Sequence, residues 1–183
     1  MTDTLSAGGG RVDPELFHAA MREFAGGAAI VAVGRGEDIT AFTGASIASL
    51  SARPARILAC VRQGSVAARA LRRHLHFAIN FLGEWDRTLA RCFGDGDARE
   101  STQRHYGRRW ITMVTGAPVL ESALVALDCD VEEVLARHDH EIVIGSVRAV
   151  RLQPGPRPLI IWKGEYYFLG EATGAKQAVL WLP

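Results

Sequence analysis

Apolar positions along the chain follow two rhythms, one of about four residues and one of two. Leu16, Phe17, Ala20, Met21 and Phe24 recur at helical spacing. Asp13-Pro14-Glu15 precedes them with an N-cap, a proline suited to the first helical position and an acid for the first turn. Gly26-Gly27 then ends the pattern where a left-handed cap is easiest. A helix is expected between them. Ala28 to Val33 is a short run of purely apolar residues that reads as a buried strand, and Ile39 to Thr43 returns as its hairpin partner after the turn Gly34 to Asp38. Further strands are expected at Ile57 to Val61, His76 to Leu82, Leu124 to Val134 and Glu141 to Leu152. Leu159 to Trp162 and Tyr166 to Leu169 pair about the turn Lys163-Gly164-Glu165. Ser65 can cap a helix through Ala68 and Leu71, and Trp85 to Phe93 is again helical by its spacing.

Six to eight short strands, several joined as hairpins, with helices at the start and in two insertions, fit an antiparallel barrel with peripheral helices. A doubly wound nucleotide fold fits poorly. Strands and helices do not alternate, and no Gly-x-Gly-x-x-Gly turn follows a first strand. Walker loops, His-Glu-x-x-His helices and Gly-x-Ser-x-Gly elbows are likewise absent from the sequence. Residues 1–12 read as a flexible tail and 13–183 as a single domain. Gly94 to Tyr106, polar and glycine-punctuated, is the expected mobile segment, and Pro154, Pro156 and Pro158 form a rigid connector.

With 183 residues, 48% of them hydrophobic, the chain can bury a core of its own. Its 21 basic and 20 acidic residues nearly cancel, so no field of one sign favours a nucleic acid or a membrane surface. Neither is expected as a partner. No apolar run reaches the roughly twenty residues of a spanning helix. Cys60, Cys92 and Cys129 are odd in number and lack zinc-ligand spacing, which suits reduced core cysteines in a cytoplasmic protein.

One segment carries candidate chemistry. Thr43-Gly44-Ala45-Ser46-Ile47-Ala48-Ser49-Leu50-Ser51, closed by Pro54, offers many hydrogen-bonding groups with little bulk, as a loop against an anionic planar ligand would. Ordinary turns have the same composition. His138 and His140, sharing a strand face, could suggest a metal, yet no third ligand is near in sequence and no metal site is expected.

Several separated segments match one family in order. Thr43 through Pro54 corresponds to a Thr-Ala-Asn-Ser-Phe-type loop with two further serines and a proline. Phe77-Ala78-Ile79-Asn80-Phe81-Leu82 looks like a Phe-x-Val-Asn-Val-Leu strand. Leu89-Ala90 with Phe93, Gly116 to Leu120 and Leu127-Asp128-Cys129 follow. Asp139-His140-Glu141-Ile142-Val143-Ile144-Gly145-Ser146-Val147 is similar to Gly-Asp-His-x-Ile-x-x-Gly-x-Val, and Pro158 to Tyr166 matches a last hairpin. From about Phe17 to Leu169 the chain thus resembles the flavin reductase-like, FMN-binding split-barrel proteins, the short reductase components of two-component flavin monooxygenases.

The resemblance implies a split antiparallel barrel working as a homodimer. Its activity would be NAD(P)H:flavin oxidoreduction, with FMN or FAD reduced by NADH or NADPH and passed to a separate monooxygenase. The alternative is a flavin protein doing other redox or sensing work without reduction by NAD(P)H. The carry-over places Thr43, Gly44, Ala45, Ser46, Ser49 and Ser51 along the flavin, Ser65 on its phosphate and His140 near the nicotinamide. Arg62 adds a charge-assisted contact or is simply exposed. Ser65 either binds phosphate or only caps its helix, Asn80 either faces the flavin or closes a strand-end bond, and His140 is either functional or a structural partner of Asp139. The sequence departs from the pattern at Ala45, where the family usually has Asn, at Arg53, where it often has Asp, and at His138, where Gly commonly precedes Asp-His.

Overall fold

The computed structural model of the protein describes residues 12–36, 38–94, 108–153, 155 and 157–169. The expected tail lies almost wholly outside them, as do most of the expected mobile segment, Pro154 and Pro156.

Helix α1 spans Pro14–Arg22, and the Asp13 carboxylate accepts from the Glu15 amide at 3.0 Å, as the capping signal predicts. After β1 (Gly26–Gly27) comes the hairpin β2 (Ala29–Arg35) and β3 (Asp38–Gly44). Strands β4 (Ile47–Ala52) and β5 (Ala55–Arg62) lead into helix α2 (Val66–His74) and β6 (His76–Phe81). A 3-10 turn at Glu84–Asp86 and helix α3 (Arg87–Gly94) follow, then β7 (Trp110–Thr112) and β8 (Pro118–Leu120). The long pair β9 (Val125–Arg137) and β10 (His140–Leu152) precedes the closing hairpin β11 (Leu159–Trp162) and β12 (Glu165–Phe168).

Seven strands form one antiparallel sheet in the order β3-β2-β6-β9-β10-β5-β4. Its outer strands, β3 and β4, are separated in sequence only by Ala45 and Ser46. Three Cα steps span at most about 10 Å, so the two edges meet and the sheet curls into a barrel. The Ser46 carbonyl accepts from the Cys60 amide at 3.0 Å, fastening that seam to β5. The expectation of an antiparallel barrel with peripheral helices holds.

Strand β2 explains how one barrel carries two cores. Ala29, Val31 and Val33 pack with Phe77, Ile79, Ile57, Val61 and the α2 residues Ala67, Ala68 and Leu71. Ile30 and Ala32 pack on the other face with Leu82, Leu89, Leu120 and Leu159. Successive side chains of a strand alternate faces, so a strand buried on both sides has no polar position to alternate with. A polar brace holds the loop before β8. Asp128, fully buried, accepts from the Thr115 amide at 2.8 Å and from the Thr115 hydroxyl, and Arg35 donates to the Thr115 carbonyl.

Two expectations need correction. The strand count is twelve among the described residues, and β9 and β10 run 13 residues each. The hydroxyl-rich run is mostly the edge strand β4 and not a loop. Its small residues fit a strand because β5 supplies the pairing, although little of it is buried.

His76 gives the fold an acid-sensitive point. It is 5% exposed, its Nε2 lies 3.4 Å from the Gly34 carbonyl, and burial holds its pKa below the ordinary 6.5. Its folded pKa is depressed, so the unfolded chain binds the extra proton first and stability falls as pH drops below about 6.5. His76→Gln is expected to flatten the pH dependence of Tm below that point, and an unchanged difference between pH 7 and pH 5 would refute the assignment. Among the described residues no helix is long and apolar enough to cross a membrane.

Candidate functional site

A cavity of about 260 Å³ opens at the seam where β3 gives way to β4. Phe42, Thr43 and Gly44 at the end of β3, with Ser46, form one wall, and Cys60, Val61 and Arg62 at the end of β5 form the next. Ser65 and Ala67 at the start of α2, Phe93 and Gly94 at the end of α3, and His140 at the start of β10 complete it. The barrel closure brings these six segments together. Of the residues picked from sequence, Thr43, Gly44, Ser46, Arg62, Ser65 and His140 all line this cavity.

Each is held by local structure. The Thr43 hydroxyl donates to the Ala90 carbonyl at 2.9 Å, and the Tyr166 hydroxyl donates to the same oxygen at 3.1 Å. That ties β3 to α3 and leaves Thr43 to present backbone. Ser65 accepts from the Ala68 amide at 3.1 Å, so it is the cap of α2 and a cavity residue at once. Val66 and Ala67, the first helical residues, carry N–H groups with no partner inside the helix, and the dipole there favours an anion. Arg62 is exposed and forms no ion pair among the described residues. The His140 Nδ1 is 2.9 Å from Asp139 Oδ1, and that hydrogen bond holds the Asp139 carboxyl below its usual range. Nδ1 is thereby oriented, and Nε2 is the ring nitrogen left for a ligand.

Other predicted residues lie elsewhere. Asn80 is fully buried; its amide donates to the Ile30 and Pro118 carbonyls and its oxygen accepts from the Leu120 amide at 2.7 Å. All its polar groups are spent on joining β2, β6 and β8. Ser49 and Ser51 lie on β4 outside the cavity lining. Ala45 does not line it either and stands against β1, where a Cβ on Gly26 would come within 3.1 Å of the Ala45 Cβ. His138 occupies the β9–β10 turn at φ 53, which glycine adopts freely and which costs other residues about 1 kcal/mol. Phe42, Cys60, Ala67, Phe93 and Gly94 were not singled out from sequence for this site. The alternation along β5 that buries Ile57, Ala59 and Val61 puts Cys60 on the opposite face, and that was the available signal for Cys60.

The donor set suits one kind of ligand. Phe42, Val61 and Phe93 offer an apolar wall to a flat ring, while Ser65, Arg62 and the start of α2 offer an anion site beside it. A flavin nucleotide has both parts, so these residues fit it. A larger groove of about 810 Å³ between α1 and the β11–β12 turn contains none of the predicted site residues.

Comparison with known proteins agrees with the geometry. The model of the flavin reductase like domain matches residues 21–170. FMN reductase (NADH) RutF of Pseudomonas syringae is 31% identical over 134 residues, covering 73% of this chain and 74% of that protein. The reductase subunit HsaB of a flavin-dependent monooxygenase from Mycobacterium tuberculosis is 27% identical over 158 residues, covering 85% and 82%. The crystal structure of a nitrilotriacetate monooxygenase component B homologue from Mycobacterium thermoresistibile superposes with a TM-score of 0.79 at 27% identity, covering 90% of this chain and 92% of that one. On the ordered motifs, the barrel and these matches together, the chain belongs to the flavin reductase-like domain family.

Proposed function

We propose that the protein is an NAD(P)H-dependent flavin reductase that reduces FMN or FAD and releases it to a separate flavin-dependent monooxygenase. The observation that carries this reading is the seam cavity, which the apolar side chains of Phe42, Val61 and Phe93 line together with Arg62 and Ser65 at the start of α2. The relatives' names, an NADH-dependent FMN reductase and a monooxygenase reductase subunit, support the reaction and the partner.

When bound, the flavin supplies the two-electron acceptor chemistry. The chain supplies position and charge. Backbone at Thr43 and Gly44 and the rings of Phe42 and Phe93 would hold the flat ring system, and the Ser65 hydroxyl with the amides at the start of α2 would hold the phosphate, whose charge Arg62 would neutralise. His140, oriented by Asp139, stands on the rim where a nicotinamide carboxamide would hydrogen-bond to Nε2. Nothing in such a transfer requires a protein acid at the carbon, so loss of His140 is expected to slow the reaction without abolishing flavin binding.

A homodimer is part of this reading. Helix α1 has no buried residue: its Phe17 and Met21 are 54% and 50% exposed, Phe24 just beyond it is 72% exposed, and Trp162, Tyr167 and Phe168 are exposed as well. Apolar surface of that kind marks an interface. Purified protein is expected to oxidise NADH or NADPH only when FMN or FAD is added, and absence of turnover with all four combinations would overturn the proposal.

A further inference from the structure

At about 260 Å³ the cavity is smaller than the usual 300–1,000 Å³ of small-molecule sites, so a nucleotide seated in it extends across the rim. The rim has an unusual charge pattern. Strand register sets Arg137 opposite His140 across β9 and β10, and His140 opposite Arg62 across β10 and β5. Directly opposed residues of antiparallel strands project to the same face, so the three side chains form a row at intervals of about 5 Å. Two of them line the cavity, and Arg137 carries the row beyond it. Arg69, on α2, reaches back to the adjoining turn, its Nη1 donating to the Gly64 carbonyl at 2.6 Å. The two turns are joined, since the Gln63 amide donates to the Asp139 carbonyl at 2.9 Å.

Arg62 and Arg137 stand on either side of His140, and the Asp139 carboxyl, held low first by its hydrogen bond to His140, is also lowered by the nearby Arg62 charge. Arg62, Arg69 and Arg137 form no ion pair among the described residues, whereas Arg109 and Arg157 each hold a carboxylate, Glu121 and Glu84. Asp139, in the turn, is hydrogen-bonded to His140. Planar guanidinium groups in a row beside an anion site match phosphoryl oxygens.

We infer that Arg137 and Arg69 extend the row of Arg62 and His140 into a subsite for a second phosphoryl group, beyond the one held at the start of α2. This inference rests on the flavin reading above and adds to it a basis for choosing between nucleotides. Two sources carry that chemistry: the adenylate half of FAD, and the diphosphate of the nicotinamide donor.

The test compares Arg137→Ala with the unmodified protein by titrating FMN and FAD and by measuring KM for NADH. Arg137 is exposed at the end of a hairpin, and an unchanged Tm confirms that the variant folds. A dissociation constant about tenfold higher for FAD with FMN unchanged assigns the subsite to FAD, the change expected for one lost charge-assisted contact. A KM for NADH about tenfold higher with both flavins unchanged assigns it to the donor. Arg137→Lys is expected to restore most of either loss. Wild-type protein that binds flavin, with all three constants unmoved in Arg137→Ala, overturns the inference and leaves the flavin reading standing. Wild-type protein that binds no flavin overturns the reading beneath it.

Discussion

Replacing Asp128 with alanine is expected to lower the unfolding free energy by about 3 to 5 kcal/mol, enough to unfold much of a marginal domain at growth temperature. The carboxylate is fully buried and takes both the amide and the hydroxyl of Thr115. Its removal leaves two buried donors facing a void. The damage spreads because Thr115 is a hub: its carbonyl accepts from Arg35 and its hydroxyl accepts from the Ala117 amide at 3.2 Å, which sets the path into β8. Asp128→Asn keeps one acceptor oxygen and is expected to lose less. Urea unfolding measures both, and a loss under about 1 kcal/mol for alanine would mean that water replaces the carboxylate.

Reversing the charge of Arg62 is expected to raise the flavin dissociation constant about a hundredfold while leaving the fold intact. The estimate joins a lost charge-assisted bond, worth about 1.5–3 kcal/mol, to new repulsion between a carboxylate and the phosphate. Arg62 is exposed and lines the cavity beside Ser65, so the substitution Arg62→Glu disturbs no packed side chain. The effect should shrink in high salt, because an exposed charge is screened. Fluorescence titration with FMN decides it: an unchanged constant at low salt would remove Arg62 from the phosphate site.

How much of this was legible depended on whether side chains or backbone did the work. Helix α1 was readable from Asp13-Pro14-Glu15 because capping is local chemistry. The β2–β3 hairpin was readable from its apolar run and glycine turn. Strand β4 was not, because its small residues are largely exposed and its conformation comes from pairing with β5. The motif resemblance located the cavity through Thr43, Ser46, Ser65 and His140, yet it also gathered Ser49, Ser51 and Asn80. Serines on a strand look alike in sequence whether they face a ligand or solvent, and Asn80 is spent on backbone that lies far away in the chain. The motif glycine Gly145 has a packing reason instead: a Cβ there would fall 2.4 Å from the Phe77 ring. Phe42, and Phe93 although it sits in a matched motif, were not read as site residues, because only closure of the barrel brings β3 and α3 to one wall.

Whether the seam cavity is the flavin site can be read directly at Cys60. This half-buried thiol lines the cavity, whereas Cys129 is buried and pushed up to about 12, which keeps it unreactive. Alkylation by iodoacetamide, followed residue by residue by mass spectrometry, is expected to slow sharply at Cys60 when FMN or FAD saturates the protein, with Cys129 unlabelled throughout. Equal labelling of Cys60 with and without bound flavin would place the cofactor somewhere else.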